Sequence, residues 1–216
     1  MEWRLLEGVP ADQVRELLQV ARRRRFSRNE VVFHRDDPGD SVHLISKGRF
    51  AIQVMTPLGE TATIAIRGPG ESFGEMALVG GARRSATVLA LEDAETFSIY
   101  QPEFERVRRQ YLAVGDVLTH FLVSEVRMLN ERLLEALYVP VERRVLRRLV
   151  ELAELYPGAD GVPAITLTQE ALAELAGAAR PTVNQVLRDE EKRGTIELSR
   201  GKTRILDLDD LRKRAR

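Results

Sequence analysis

The sequence predicts an α+β chain: short strands first, then one long helix, then two short helices with a hairpin. Three observations carry this. Between Phe26 and Tyr100, short alternating apolar segments are punctuated by glycine turns, the pattern of a sandwich or barrel. From Tyr111 to Tyr138, apolar residues recur every three or four positions (Leu118, Leu122, Val126, Leu129, Leu133, Leu137), a helical stripe flanked by Phe121, Met128 and Leu134. After Val139-Pro140, a basic amphipathic stretch leads to two short helical patterns joined at Gly177.

Composition narrows the chemistry. The 216 residues have 44% hydrophobic content, enough for packed cores, and a formal net charge of zero. The absence of cysteine excludes disulfides, thiolate metal sites, iron–sulfur clusters and cysteine nucleophiles. No apolar run is long enough to span a bilayer and no signal-peptide core opens the chain, so a cytoplasmic protein with no membrane partner is expected. His34 and His43 have no companion ligand nearby, and no metal site is expected. From Pro140 to Arg216, fifteen Lys and Arg face thirteen Asp and Glu, so any contact with DNA must come from the placement of charges.

Taken in order, residues 1–25 read as helical, starting at Val9-Pro10-Ala11-Asp12 with Val14, Leu17, Leu18 and Ala21 on one face. The Arg22–Arg25 run reads either as a solvated helix end or as a nucleic-acid patch; the helix dipole favours the first. Strands are predicted at Val31–Phe33, Ser41–Ser46, Arg49–Met55, Thr61–Arg67 and Ser85–Leu91. Turns are predicted at Asp37-Pro38-Gly39-Asp40, Lys47-Gly48, Pro57-Leu58-Gly59 and Gly68-Pro69-Gly70. Helices follow over 102–110 and 111–138. The long stripe suits either an ordinary core helix or a dimerisation helix, and its length favours the second.

Val139-Pro140 breaks the helix and marks a hinge. Glu142 to Leu155 follows as an amphipathic helix. Thr168 can cap the next, whose first turn holds Gln169 and Glu170; Ala171, Leu172 and Leu175 should face inward. Gly177 supplies the turn. A second helix starts near Ala179, with Pro181 in its first turn, and buries Val183, Val186 and Leu187. Strands at Thr195–Leu198 and Thr203–Leu206, around Ser199-Arg200-Gly201-Lys202, complete a winged helix-turn-helix.

The remaining stretch, Phe73-Gly74-Glu75-Met76-Ala77-Leu78 through Gly80-Gly81-Ala82 to Arg83-Arg84-Ser85-Ala86, suits a sugar phosphate. Gly74 allows close backbone approach, and Glu75 can accept from ribose hydroxyls. Arg84 offers a donor fork matched to phosphate oxygens, and Ser85 a hydroxyl. Alternation would send Arg83 to the opposite face. The alternative is that Glu75 and Arg84 simply pair with each other.

This run resembles the phosphate-binding cassette of cyclic-nucleotide-binding domains (F-G-E-x-A-L, then R-S/T-A) in the catabolite-activator branch of the CRP/FNR transcription regulators. Ala179-Arg180-Pro181-Thr182-Val183-Asn184-Gln185-Val186-Leu187 resembles the family's S-R-x-T-V-x-x-x-L recognition helix. The resemblance covers about Arg25 to Leu211. It implies a cyclic-nucleotide β-roll (double-stranded β-helix or jelly roll) over 1–110, a dimerisation helix over 111–138 and a winged helix-turn-helix over 139–216. It implies a non-enzymatic bacterial regulator with cyclic AMP as effector. Its partners would be a second copy, double-stranded DNA with a pseudo-palindromic operator, and RNA polymerase.

By the same resemblance, Gly74, Glu75, Met76, Arg84 and Ser85 bind ligand, with Leu129 and Asn130 at the base. Leu129 departs from the family's threonine. Thr168, Gln169, Arg180, Thr182, Gln185, Arg200 and Lys202 face DNA, with Arg204 on the wing. Pro181 and Gln185 replace the group's usual Glu and Arg, which implies a different operator. The departure at Leu129 leaves open another effector, or none. An enzyme's regulatory module is the reading from another class, and no catalytic motif supports it.

Overall fold

A computed structural model describes residues 2–56, 59–79, 83–158 and 160–216. Pro57 and Leu58 of one predicted turn, Gly80, Gly81 and Ala82 of the cassette, and Ala159 lie outside the described residues. The chain divides into two compact units, Met1–Met128 and Leu129–Arg216.

In the first unit, a 3-10 turn (Arg4–Leu6) and α1 (Ala11–Val20) precede eight strands: β1 (Arg22–Phe26), β2 (Val31–Phe33), β3 (Ser41–Lys47), β4 (Phe50–Met55), β5 (Thr61–Arg67), β6 (Ser72–Phe73), β7 (Thr87–Ala90) and β8 (Ala94–Tyr100). They form two four-stranded sheets, ordered β1-β8-β3-β6 and β2-β7-β4-β5, with antiparallel pairing. Phe26, Phe50, Phe73 and Val88 fill the interior of the roll. A second core holds Trp3, Leu17, Leu44 and Phe104 with Val114, Leu118 and Phe121. The last three come from α3 (Leu112–Tyr138), which follows α2 (Gln101–Gln110).

The N-terminal expectation is corrected here. Residues 22–26 form a strand, so the arginine run is not a helix end. Its side chains alternate: Arg23 and Arg25 pair with Glu95 of β8, while Arg22 lies over Tyr100 and Arg24 over Phe26. Four like charges carry no apolar periodicity, which hid the strand. β6 and β8 were not predicted either. The strand expected to begin at Ser85 begins at Thr87.

The apolar stripe of α3 divides along its length. Leu118 and Phe121 are buried and Leu122 packs against them, whereas Val126, Leu129, Leu133, Leu134 and Leu137 remain 56–63% exposed.

The second unit contains α4 (Val141–Leu155), β9 (Ala164–Ile165), α5 (Gln169–Ala176), α6 (Arg180–Arg193), β10 (Ile196–Ser199), β11 (Lys202–Ile205) and α7 (Leu208–Arg214). Val145, Leu149, Leu172, Val183 and Leu187 form much of its core. Ala171 and Leu175 are only half-buried; Leu172, Ala173 and Ala176 supply the inward face of α5. The wing pairs Ile196 with Ile205 and Ser199 with Lys202, and β9 adds a third strand that the sequence did not suggest. Arg148, 4% exposed, pairs with Glu135 at the end of α3 and with Glu151, binding the helix end to α4 across the Pro140 break.

Candidate ligand and nucleic-acid sites

The cassette begins where β6 ends. Gly74 has φ 80°, left-handed, and caps a 3-10 turn over Glu75–Leu78. A Cβ there would meet Arg84 Nη1 at 2.7 Å and the Ser41 carbonyl oxygen at 3.0 Å, so glycine is required by both conformation and space. Ala77 and Leu78 are buried and anchor the turn, while Met76 is half exposed.

Arg84 is 5% exposed and held from several sides. Nη1 donates to the Ser41 carbonyl at 2.6 Å, and Nη2 donates to Ser41 Oγ and Asp40 Oδ1, both at 3.1 Å. Its guanidinium carbon lies 4.0 Å from the Phe33 ring centroid. These contacts fix the plane of the fork in advance. Among the described residues its buried Nε has no hydrogen-bond partner, a donor that an anion would satisfy. Arg83 is exposed, donates to the Asp36 carbonyl at 2.7 Å and lies outside any strand, so the two arginines do separate. Ser85 is exposed, and its hydroxyl donates to the soft acceptor Met76 Sδ at 3.4 Å.

Glu75 and Arg84 do not pair with each other: among the described residues, the ion pair of Arg84 is with Asp40 and Glu75 has none. Burial pushes the Glu75 carboxyl up, with Glu125 adding to the rise, while its own backbone N–H, Arg67 and Arg84 pull it down. Among the described residues it therefore has its own backbone N–H as a donor but no ion-pair partner. The donor set fits a phosphate beside a hydroxylated sugar.

Behind the cassette lies a histidine that the sequence marked only as lacking a companion metal ligand. His43 is buried, its Nδ1 is 3.0 Å from Thr96 Oγ1, and its ring stacks on Phe73 at 4.9 Å. Burial first, then Arg84 and Arg24, lower its pKa from 6.5 to about 3. The folded chain thus keeps this ring neutral where the unfolded chain protonates it. Between pH 6.5 and about 3 the unfolded state binds the extra proton, so stability falls as pH falls through that window. The expected contribution to the slope is up to about 1.4 kcal/mol per pH unit. Urea unfolding of wild type and His43→Gln from pH 7 to 4.5 checks it: the variant should show the shallower dependence.

Leu129 and Asn130 are both exposed on α3 and fall in the second unit, whereas Gly74, Glu75, Met76, Arg84 and Ser85 cluster in the first.

In the second unit, Thr168 Oγ1 accepts from the Ala171 N–H at 3.1 Å, capping α5, and Gln169 begins that helix. Gly177, with φ 57°, ends α5 and redirects the chain into α6. Arg180 is the first residue of α6 and is exposed; Thr182 is half-buried one position beyond Pro181. Gln185 is exposed on the same helix, and its amide donates to Asp189 Oδ2 at 2.9 Å. That leaves Oε1 and a second N–H for a base edge. Arg200 and Lys202 flank the hairpin tip at Gly201 and are exposed. Arg204 is occupied by Asp160 and Glu197, each at 2.8 Å, so it braces the wing. Arg144, not singled out in the sequence, donates to the Gly177 carbonyl at 3.2 Å and supports the turn.

Among the described residues no cluster of three or more metal-ligating side chains occurs, and no helix is long and apolar enough to cross a membrane.

Comparison with known proteins agrees with this geometry. Residues 23–111 match the cyclic nucleotide-binding domain, and residues 143–214 match the Crp-like helix-turn-helix domain. The CRP-like cAMP-activated global transcriptional regulator of Mycobacterium tuberculosis is 28% identical over 98% of this chain and 96% of its own. The cyclic AMP receptor protein of Thermus thermophilus is 27% identical, covering 93% of this chain and 91% of its own. The crystal structure of the Thermus thermophilus catabolite activator protein covers 98% of both chains at 27% identity, with a TM-score of 0.58. With a nucleotide-binding roll and a Crp-like helix-turn-helix in that order, the chain belongs to the CRP/FNR family of DNA-binding transcription regulators.

Proposed function

We propose that this regulator is a homodimer controlled by cyclic AMP bound in the roll. The observation that carries the reading is Arg84, a buried fork fixed by Ser41 and Asp40 with an unpartnered Nε, beside a glycine whose Cβ would strike it. Gly74, Glu75, Met76, Arg84 and Ser85 form the phosphate and sugar contacts. The exposed Val126, Leu129, Leu133 and Leu137 make α3 a two-fold interface. The functional division is then 1–110 for ligand, 111–138 for dimerisation and 139–216 for DNA, with Leu129 and Asn130 beside the base.

Thr168 and Gln169 at the start of α5, Arg180, Thr182 and Gln185 on α6, and Arg200 and Lys202 on the wing contact the operator. A dimer of helix-turn-helix units places its recognition helices about 34 Å apart on a pseudo-palindrome. The chain is cytoplasmic, catalyses no reaction and acts with RNA polymerase.

A second reading has one observation behind it. Leu129 offers the base no hydroxyl, which favours a different effector or none.

Calorimetric titration with cyclic AMP and cyclic GMP separates the two, followed by DNA anisotropy with and without ligand. The expected result is tighter binding of cyclic AMP and a rise in DNA affinity on binding it. Binding of neither nucleotide would transfer the role to the second reading.

A further inference from the structure

A chain of ion pairs leads from the cassette to α3. Arg67 stands at the last position of β5, where the chain turns through Gly68-Pro69-Gly70 into β6. Its Nη1 donates to Glu71 Oε1 at 2.9 Å and its Nη2 to Glu125 Oε2 at 2.5 Å. The side chains are well shielded, at 14% exposure for Arg67 and 16% for Glu125. The other Glu71 oxygen accepts the Gly68 N–H at 2.7 Å, so Arg67, the turn and Glu71 form one braced unit. Glu71 precedes Glu75 by four residues, and only β6 and Gly74 separate them.

We propose that Arg67 is the positioning residue through which occupancy of the cassette reaches α3, by tying Glu71 to Glu125. This rests on the cyclic-nucleotide reading above. A ligand hydroxyl on Glu75 pulls on the Gly74–Glu75 turn. The two-residue β6 passes that displacement to Glu71, and Arg67 follows because both Glu71 oxygens are engaged. Its other nitrogen then moves or releases Glu125, on the same helix and one turn before Leu129. In a shielded site such a pair has discrete arrangements rather than a continuous range, as a two-state coupling element requires. The field at Glu75 is consistent with this arrangement, since Arg67 and Glu125 act on its carboxyl with opposite signs.

Arg4 gives the test a control built into the fold. It lies 3.6 Å from Glu125 and donates to Ser124 Oγ at 3.2 Å, so Glu125 keeps a cation when Arg67 is removed. Full-length wild type, Arg67→Met, Glu125→Gln and the double variant are compared by cyclic AMP calorimetry. Each is also titrated by anisotropy on an operator selected with wild type, with and without cyclic AMP, and melting curves establish folding.

Both single variants should bind cyclic AMP within about threefold of wild type, while the ligand-induced rise in DNA affinity shrinks about tenfold. The double variant should be no worse than either single one, because both break one path. An unchanged rise in a folded single variant, additive losses, or a tenfold loss of cyclic AMP binding in Arg67→Met would each overturn the proposal. Should Arg67→Met not fold, Glu125→Gln decides alone, since Arg67 then keeps Glu71. If wild type binds no cyclic AMP, that failure belongs to the cyclic-nucleotide reading, is visible before any variant is made, and removes this proposal with it.

Discussion

Arg84→Ala should cost cyclic AMP affinity a factor of about 10 to 100, the loss of the charge-assisted contact from Nε and of the buried cation behind it. The factor is large because the fork arrives preorganised. Ser41 and Asp40 hold Nη1 and Nη2, Phe33 supports the plane, and among the described residues Nε has no acceptor. Arg84→Lys should recover little, since a point charge can replace the cation but not the planar fork. Burial lowers the Arg84 pKa, with Asp40, Asp37 and Glu75 opposing that fall. Removing Arg84 also takes its donor from the Ser41 carbonyl and leaves Asp40 with the Ser41 hydroxyl but no cation, so a lower melting temperature should accompany the loss of affinity. Calorimetry and melting on the three proteins measure both. Wild-type affinity in a folded Arg84→Ala would place the anion elsewhere.

The second large effect is expected at Arg180. It is exposed at the first position of α6, so Arg180→Ala should leave stability unchanged within about 0.5 kcal/mol. If its guanidinium reads guanine O6 and N7, its loss costs about 1–3 kcal/mol at each half-site and relaxes selection at that base pair. On a palindrome bound by a dimer the cost is paid at both half-sites. Lys202→Ala on the wing provides the contrast. A phosphate contact should weaken all sequences alike and lower the salt slope by about one. Anisotropy at several salt concentrations, on the selected operator and on a variant half-site, distinguishes a base reader from a backbone contact.

Much of this was legible because the motifs are local. Gly74 and Glu75 announce a tight turn and an acceptor, and the Thr168 cap, Gly177 and Pro181 mark the helix boundaries of the second unit. Legibility failed where long-range pairing decides. β1 is a strand because Glu95, Tyr100 and Phe26 receive its arginines, and no window around residue 22 contains the first two. β9 has two residues and exists because β11 pairs with it. The partners of Arg84 illustrate the same limit. Asp40 and Ser41 sit beside a turn read only as a turn, and nothing local tied them to a side chain more than forty positions away.

The arginine strand has a consequence for assembly. Among the described residues β1 is an edge of its sheet, the kind of strand that an identical strand could extend. Arg22–Arg25 are all exposed along that edge. Two copies approaching through it would set arginine against arginine before any backbone bond could form. The sheet thus guards its open side by self-repulsion, and growth by strand addition is closed off there.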